Sequence, residues 1–308
     1  MKVTIHDSIA AISGTAWDRL AGDEYPFLRH AFLELAERTG SVSPDAGWTP
    51  RHLALEYGGD LRAVMPLYEK SHSWGEFVFD WAWANAYEQA GFDYYPKLVS
   101  AVPFTPASST RLLLADANDR EAADALVTAA TQLAVDTECS SLHVLFPSES
   151  DLPALERNGL MLRKDCQFHW HTRGYASFED FLATFTSAKR KKAKRDRRRV
   201  MEQGIRFRRI RGEELDSPTW SVVYALIART FMMRGSLPYF NQEFFEGLSS
   251  NLPENMLVIL AELDSHPIAA AVFFESDTAL YGRYWGSEGH HDALHFETCY
   301  YQGIDYCI

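Results

Sequence analysis

The sequence predicts an α+β chain built from two copies of one domain, the second shorter than the first. Three observations carry that reading. Hydrophobic residues make up 46% and aromatic residues 13% of 308 positions, ample for buried cores in one large or two medium domains. A strand–turn–strand pattern occurs at 52–69, with a Gly58-Gly59 turn, and again at 256–275, with an Asp264-Ser265-His266-Pro267 turn. Each hairpin is followed by an aromatic run (77–83 and 280–286) and then by a tyrosine pair, Tyr94-Tyr95 and Tyr300-Tyr301. One order repeated roughly 200 residues apart indicates duplication of a domain, not a short-period solenoid.

In the first copy, 1–175, a short strand is expected at 3–5 and a helix at 31–39. The hairpin and a strand over the aromatic run 77–83 follow, then a strand at 111–114. Asp119 opens a helix over 121–135, 142–146 is an apolar strand, and Gly159 stops a short helix at 152–158. A last strand covers 161–170. In the second copy, 176–308, an amphipathic turn at 178–185 leads into a basic helix. A strand at 205–210, helices at 220–234 and 244–249, the hairpin, the aromatic strand and an apolar helix at 296–308 complete it. The first copy continues past the equivalent point with a strand, a helix and a strand. Ile308 therefore reads as a truncation point, with roughly 50–80 residues needed to finish the second domain.

The basic helix is the most singular segment. Nine of the eleven residues at 189–199 are Lys or Arg, in a chain of net charge −12. Residues 189–211 carry +11 and the remainder −23, so the positive charge is sited and points to an anionic partner. Ser187 offers a cap, Ala188 and Ala193 favour helix, and Gly204 is a natural C′ residue. Basic residues fall on every helical face. The pairs 190/194, 191/195, 194/198 and 195/199 are like-charged at i,i+4, and their repulsion of about 1–2 kcal/mol in sum is one that phosphates or carboxylates would relieve.

The segment 1–10 has no apolar signal core, and no apolar run approaches the length of about 18 residues that a membrane span needs. The expectation is a cytoplasmic protein. Cys139, Cys166, Cys299 and Cys307 show neither metal-ligand nor disulfide spacing.

The order strand, helices, hairpin, aromatic strand, helix resembles the GNAT acyltransferase fold. Two such units, with a basic segment opening the second, are similar to the FemAB-like group. The stretches Tyr281-Gly282-Arg283-Tyr284-Trp285-Gly286 and Leu294-His295-Phe296-Glu297-Thr298-Cys299-Tyr300-Tyr301-Gln302-Gly303-Ile304 carry that resemblance most specifically. It implies tandem GNAT-like domains, each a mixed central sheet flanked by helices, and acyl transfer to an amine. In Fem proteins the donor is an aminoacyl-tRNA and the acceptor a peptidoglycan precursor, so the implied partner is a polyanion, either tRNA or a phosphorylated cell-wall precursor. Peripheral membrane contact is compatible with such an acceptor.

The alternative donor is acyl-CoA, whose pyrophosphate GNAT enzymes hold on a Gly-rich turn at a helix N-terminus. Here that turn, 287–293, has one glycine and two acids, Glu288 and Asp292, which disfavours acyl-CoA. No tightly bound cofactor is expected. Phosphate binding is expected instead from Lys189, Arg190, Lys194, Arg195 and Arg198. Acyl transfer needs a proton acceptor and an oxyanion stabiliser. The catalytic candidates are Arg283, His295, Glu297 and Tyr300. Tyr281, Trp285, Tyr301 and Gln302 are candidates for binding substrate. Strand alternation would put Tyr281, Arg283 and Trp285 on one face, though Trp285 and Tyr300 read equally well as core aromatics. Asp80, at the matching place in the first copy, faces a cleft or is a solvated strand end.

Two other functions compete. One is nucleic-acid binding without chemistry through the basic helix, against which the acidic body argues. The other is a zinc hydrolase using His291 and His295 at i,i+4 with Glu297 nearby, a weak signal because Gly289 marks a loop.

Overall fold

The computed structural model describes residues 2–308, which form α+β structure with three four-stranded sheets. The chain divides into two compact units, Met1–Lys164 and Asp165–Ile308. The boundary expected from the sequence is 175/176. The intervening residues join the second unit because Trp170 and Tyr175 pack on Phe181, with ring centroids 5.7 and 5.6 Å away.

The first unit opens with β1 (Lys2–His6), α1 (Gly14–Ala21) and α2 (His30–Arg38). Four strands follow: β2 (Trp48–Pro50), β3 (His52–Tyr57), β4 (Asp60–Met65) and β5 (Tyr68–Lys70). Then come α3 (Trp81–Gln89), β6 (Lys97–Ser100), β7 (Leu113–Leu114), α4 (Arg120–Asp136), β8 (Leu142–Val144) and α5 (Leu152–Arg157). One sheet runs β1-β3-β4-β7, wholly antiparallel; the other runs β2-β5-β6-β8, with β6 and β8 parallel. The β3–β4 turn uses Gly58 and Gly59, both with positive φ, as a two-residue hairpin demands. Asp119 caps α4 by accepting the Ala122 amide, and the helix buries Leu126, Val127 and Ala130 against Leu53, Leu55 and Met65.

Three sequence expectations change here. Residues 77–83 are not a strand: Phe77 and Phe79 take left-handed backbone (φ 63° and 50°), and α3 begins at Trp81. The segment instead folds over the buried Lys97 ammonium, which donates to Glu76 (2.8 Å), Asp80 (2.5 Å) and Ser73 (2.9 Å). Asp80 is consequently buried, not a solvated strand end, and also accepts the Tyr94 hydroxyl at 2.6 Å. Residues 161–170 have no regular structure.

The second unit comprises α6 (Phe178–Ala183), α7 (Ser187–Glu202), β9 (Arg206–Arg211), α8 (Ser217–Met233) and α9 (Gln242–Asn251). Three long strands follow: β10 (Met256–Leu263), β11 (His266–Glu275) and β12 (Leu280–Ser287). A terminal helix closes the chain: α10 (Leu294–Phe296), a π segment (Glu297–Tyr301) and α11 (Gln302–Cys307). The sheet order is β12-β11-β10-β9, all antiparallel. The hairpin turn is tighter than expected, since Asp264 and Ser265 alone take positive φ and His266 already belongs to β11.

Helices cover both faces of this sheet. On one, Trp220 stacks on Phe245, which meets Tyr284 edge-on at 5.3 Å. There Gly286 lets β12 approach α8 so closely that a Cβ would overlap the Leu226 carbonyl. On the other face, Leu294, Val200 and Trp285 pack with Ala261 and Ala269, and Tyr306 and Cys299 with Ile259 and Phe273. Among the described residues, no helix is long and apolar enough to cross a membrane.

Candidate functional site

The basic helix forms where the sequence places it, but its faces are not equivalent. Thr186, not Ser187, is the N-cap, and Gly204 ends the turn at φ 81°. Ala193 and Val200 are its buried residues. Arg197 is turned inward, its guanidinium 4.2 Å from the Phe178 ring and 3.2 Å from Glu297 on the terminal helix. Much of the self-repulsion is relieved internally: Lys194 pairs with Glu179 (2.5 Å), Arg198 with Glu202 (3.5 Å) and Arg199 with Asp292 (2.6 Å).

A third face of α7 forms one wall of an open cavity of about 750 Å³. Lys189, Lys192, Asp196 and Arg199 line it at spacings of three and four, with Arg195 beside them. The opposite wall comes from Trp285 on β12, the loop carrying His290, His291 and Asp292, and His295 and Tyr301 on the terminal helix. Gly289 and Ala293 bend that loop through left-handed backbone. The π segment that follows sets the register bringing His295 and Tyr301 to one wall, and π bulges recur at functional sites.

Of the sequence candidates, Lys189, Arg195, Trp285, His295 and Tyr301 line this one cavity. The His295 imidazole stands edge-on to Trp285 at 5.1 Å, and burial, with Arg234 nearby, lowers its pKa below the usual histidine value. Tyr301 packs on Phe178, and burial raises its phenol above the ordinary range.

Other candidates lie elsewhere. Arg190 donates to the Phe185 carbonyl, and Lys194 and Arg198 are paired along the helix exterior. Arg283 is the extra residue of a β-bulge, because Val272 pairs with Tyr284 and Phe273 with Gly282. The bulge breaks the expected alternation. Trp285, opposite Ala271, faces the terminal helix, while Tyr281, opposite Phe274, faces the α8 side, and Arg283 lies 5.8 Å from the Tyr284 ring. Glu297 is buried, and its Oε1 accepts from Arg197 and from Gln302 (2.8 Å). Glu297 and Gln302 therefore tie α7 to the terminal helix. Tyr300 is half exposed and stacked on Phe296. The acids of loop 287–293 are each compensated, Asp292 by Arg199 and Glu288 by Arg229 (3.4 Å). Among the described residues, no three His, Cys, Asp or Glu side chains converge as metal ligands, so the His291–His295 pair gathers no donor set.

Lys192 and Arg199 were missed, although stepping from Lys189 by three and four residues along the helix finds both. A buried polar network in the first unit was also invisible in sequence. There burial opposes ionisation of Asp80, but hydrogen bonds from Lys97 and Tyr94 outweigh it and hold the carboxyl at about 2. Burial lowers Lys70 to about 7 against the opposing pull of Glu76, and lowers His143 to about 4.

No curated protein matches this chain significantly. A solved structure, FemX, is similar with a TM-score of 0.49 at 12% identity, covering 99% of this chain and 83% of that one. The model of the FemAB-like family, described as peptidoglycan biosynthesis/recognition, matches residues 8–308. With the match extending over nearly the whole chain, the protein belongs to the FemAB-like family.

Proposed function

We propose that this chain is an acyltransferase of peptidoglycan precursor synthesis, moving an acyl or aminoacyl group from a phosphate-bearing donor to an amine at the cavity of the second unit. In this reading the chain is a tandem of GNAT-like domains working in the cytoplasm, with aminoacyl-tRNA favoured over acyl-CoA as donor. The observation that carries it is the opening of the cationic face of α7 and of His295 onto one cavity.

Transfer requires a neutral amine that sheds a proton as its nitrogen attacks the acyl carbonyl. The N–C bond forms, the C–O bond to the donor breaks, and the departing oxygen takes up a proton. His295 suits the acceptor's role because burial favours its neutral form. The Tyr301 hydroxyl, kept protonated by burial, suits donation to the developing oxyanion. Lys189, Lys192, Arg195 and Arg199 suit the donor's phosphates. Glu297 serves as a positioning residue, fixing the helix that bears His295.

The test is transfer of a labelled aminoacyl group from tRNA to an amine-bearing peptidoglycan precursor across a salt series. Transfer that weakens steeply with salt is expected, with His295→Gln slower by about 10²–10⁴-fold. Absence of transfer, with equal affinity for aminoacyl-tRNA, uncharged tRNA and random duplex, would replace this reading with simple nucleic-acid binding.

A further inference from the structure

The loop between β12 and the terminal helix is bounded by two acids that are held differently. Glu288 pairs with Arg229, which does not line the cavity, and its amide donates to the Ile268 carbonyl at 2.7 Å. Asp292 pairs at 2.6 Å with Arg199, a cavity-lining cation, and Gln203 donates to the Asp292 carbonyl at 3.4 Å. Lys189 and Lys192, on the same wall, have no ion-pair partner among the described residues. Arg199 is therefore the cation of that stripe engaged by an acid from across the cavity.

The pair is built to open. Both side chains are about half exposed or more, 46% and 64%, and such pairs contribute only about 0–1 kcal/mol. The loop is also bent by Ala293, a non-glycine residue at φ 65°, a conformation costing about 1–2 kcal/mol. The Arg199–Asp292 contact and the Gln203 hydrogen bond hold that strained loop against α7. From Lys189 to Arg199 the helix rises about 15 Å, longer than one phosphate group.

We infer that Asp292 is an internal counter-ion of the cavity: a ligand carrying two or more phosphates displaces its carboxylate from Arg199 and frees loop 288–293 from α7. This rests on the reading of the cavity as a phosphate site. Asp292, an acid that would repel phosphate in an isolated turn, thereby becomes a gate, linking occupancy of the stripe to the position of His290 and His291.

The experiment is calorimetric titration with inorganic pyrophosphate, with hydrogen exchange of 288–293 read alongside. Asp292→Asn, checked for an unchanged thermal melt, is expected to bind about two- to five-fold more tightly. Glu288→Gln is expected to match the wild type. The gain should vanish in Arg199→Gln/Asp292→Asn, and pyrophosphate should accelerate exchange of the wild-type loop. Equal or weaker binding by Asp292→Asn, or a gain that survives loss of Arg199, overturns the counter-ion. Absence of pyrophosphate binding, or binding indifferent to Lys192→Gln and Arg195→Gln, overturns the phosphate site itself, and the counter-ion with it. A short single-stranded oligoribonucleotide titrated in parallel separates a nucleic-acid source of the phosphates from a free diphosphate.

Discussion

His295 stands edge-on to Trp285, with ring centroids 5.1 Å apart and planes at 68°. One residue belongs to the terminal helix and the other to β12, so the contact couples the imidazole to the sheet and shields it. Trp285→Leu should raise the His295 midpoint toward about 6.5, measured by NMR titration. An unmoved midpoint would show that Trp285 does not supply the shielding. The sign for stability follows: the folded state holds this proton less tightly than the unfolded state. Stability contributed here rises with pH from the lowered midpoint to about 6.5 and is lost as pH falls through that window.

Arg197 and Glu297 join α7 to the terminal helix, with Gln302 completing the carboxylate's contacts. Arg197→Met leaves a buried carboxylate without its cation and should cost about 1–3 kcal/mol in urea unfolding. Glu297→Gln should cost less, because Gln302 retains an acceptor. If both variants kept wild-type stability, Glu297 would be available for proton transfer and its assignment to positioning would fail.

Lys70 is buried, donates to the Trp74 carbonyl at 3.3 Å and lies 3.8 Å over the Trp48 ring. Its neighbours Glu76 and Lys97 pull its proton affinity in opposite directions, and burial dominates. The unfolded chain holds this proton up to the ordinary lysine range, the folded chain only to about 7. Stability should therefore climb as pH rises from about 7 toward 10, and Lys70→Met should flatten that climb. Identical pH profiles for the two proteins would show Lys70 to be charged in the fold.

The parts legible in the sequence were those fixed by neighbours along the chain. Gly58-Gly59 dictates its own turn, Asp119 its own helix start, and the basic run its own helix. What escaped was set by distant partners. The aromatic run 77–83 reads as a strand because nothing local reveals that Lys97, 21 positions after Glu76 and 17 after Asp80, draws both acids inward. The expected shared face of Tyr281, Arg283 and Trp285 does not form because period-two alternation cannot anticipate a bulge. Of the residues singled out in the sequence, Lys189, Arg195, Trp285, His295 and Tyr301 line the cavity. Which basic residues face the cavity depended on where Arg197, Ala193 and Val200 anchor the helix.

That orientation of the helix is what the proposed chemistry depends on most. The direct measurement compares aminoacyl transfer by Lys192→Gln/Arg195→Gln, which alters the cavity wall, with that by Lys194→Gln/Arg198→Gln, which alters the exterior. Both remove two charges, so a purely non-specific field treats them alike. The expected result is a loss of about ten-fold or more in kcat/KM and a reduced salt slope for the cavity pair, with a change of less than about three-fold for the exterior pair. Equal losses in the two variants, or a larger loss from the exterior pair, would contradict a phosphate site on this face of the helix.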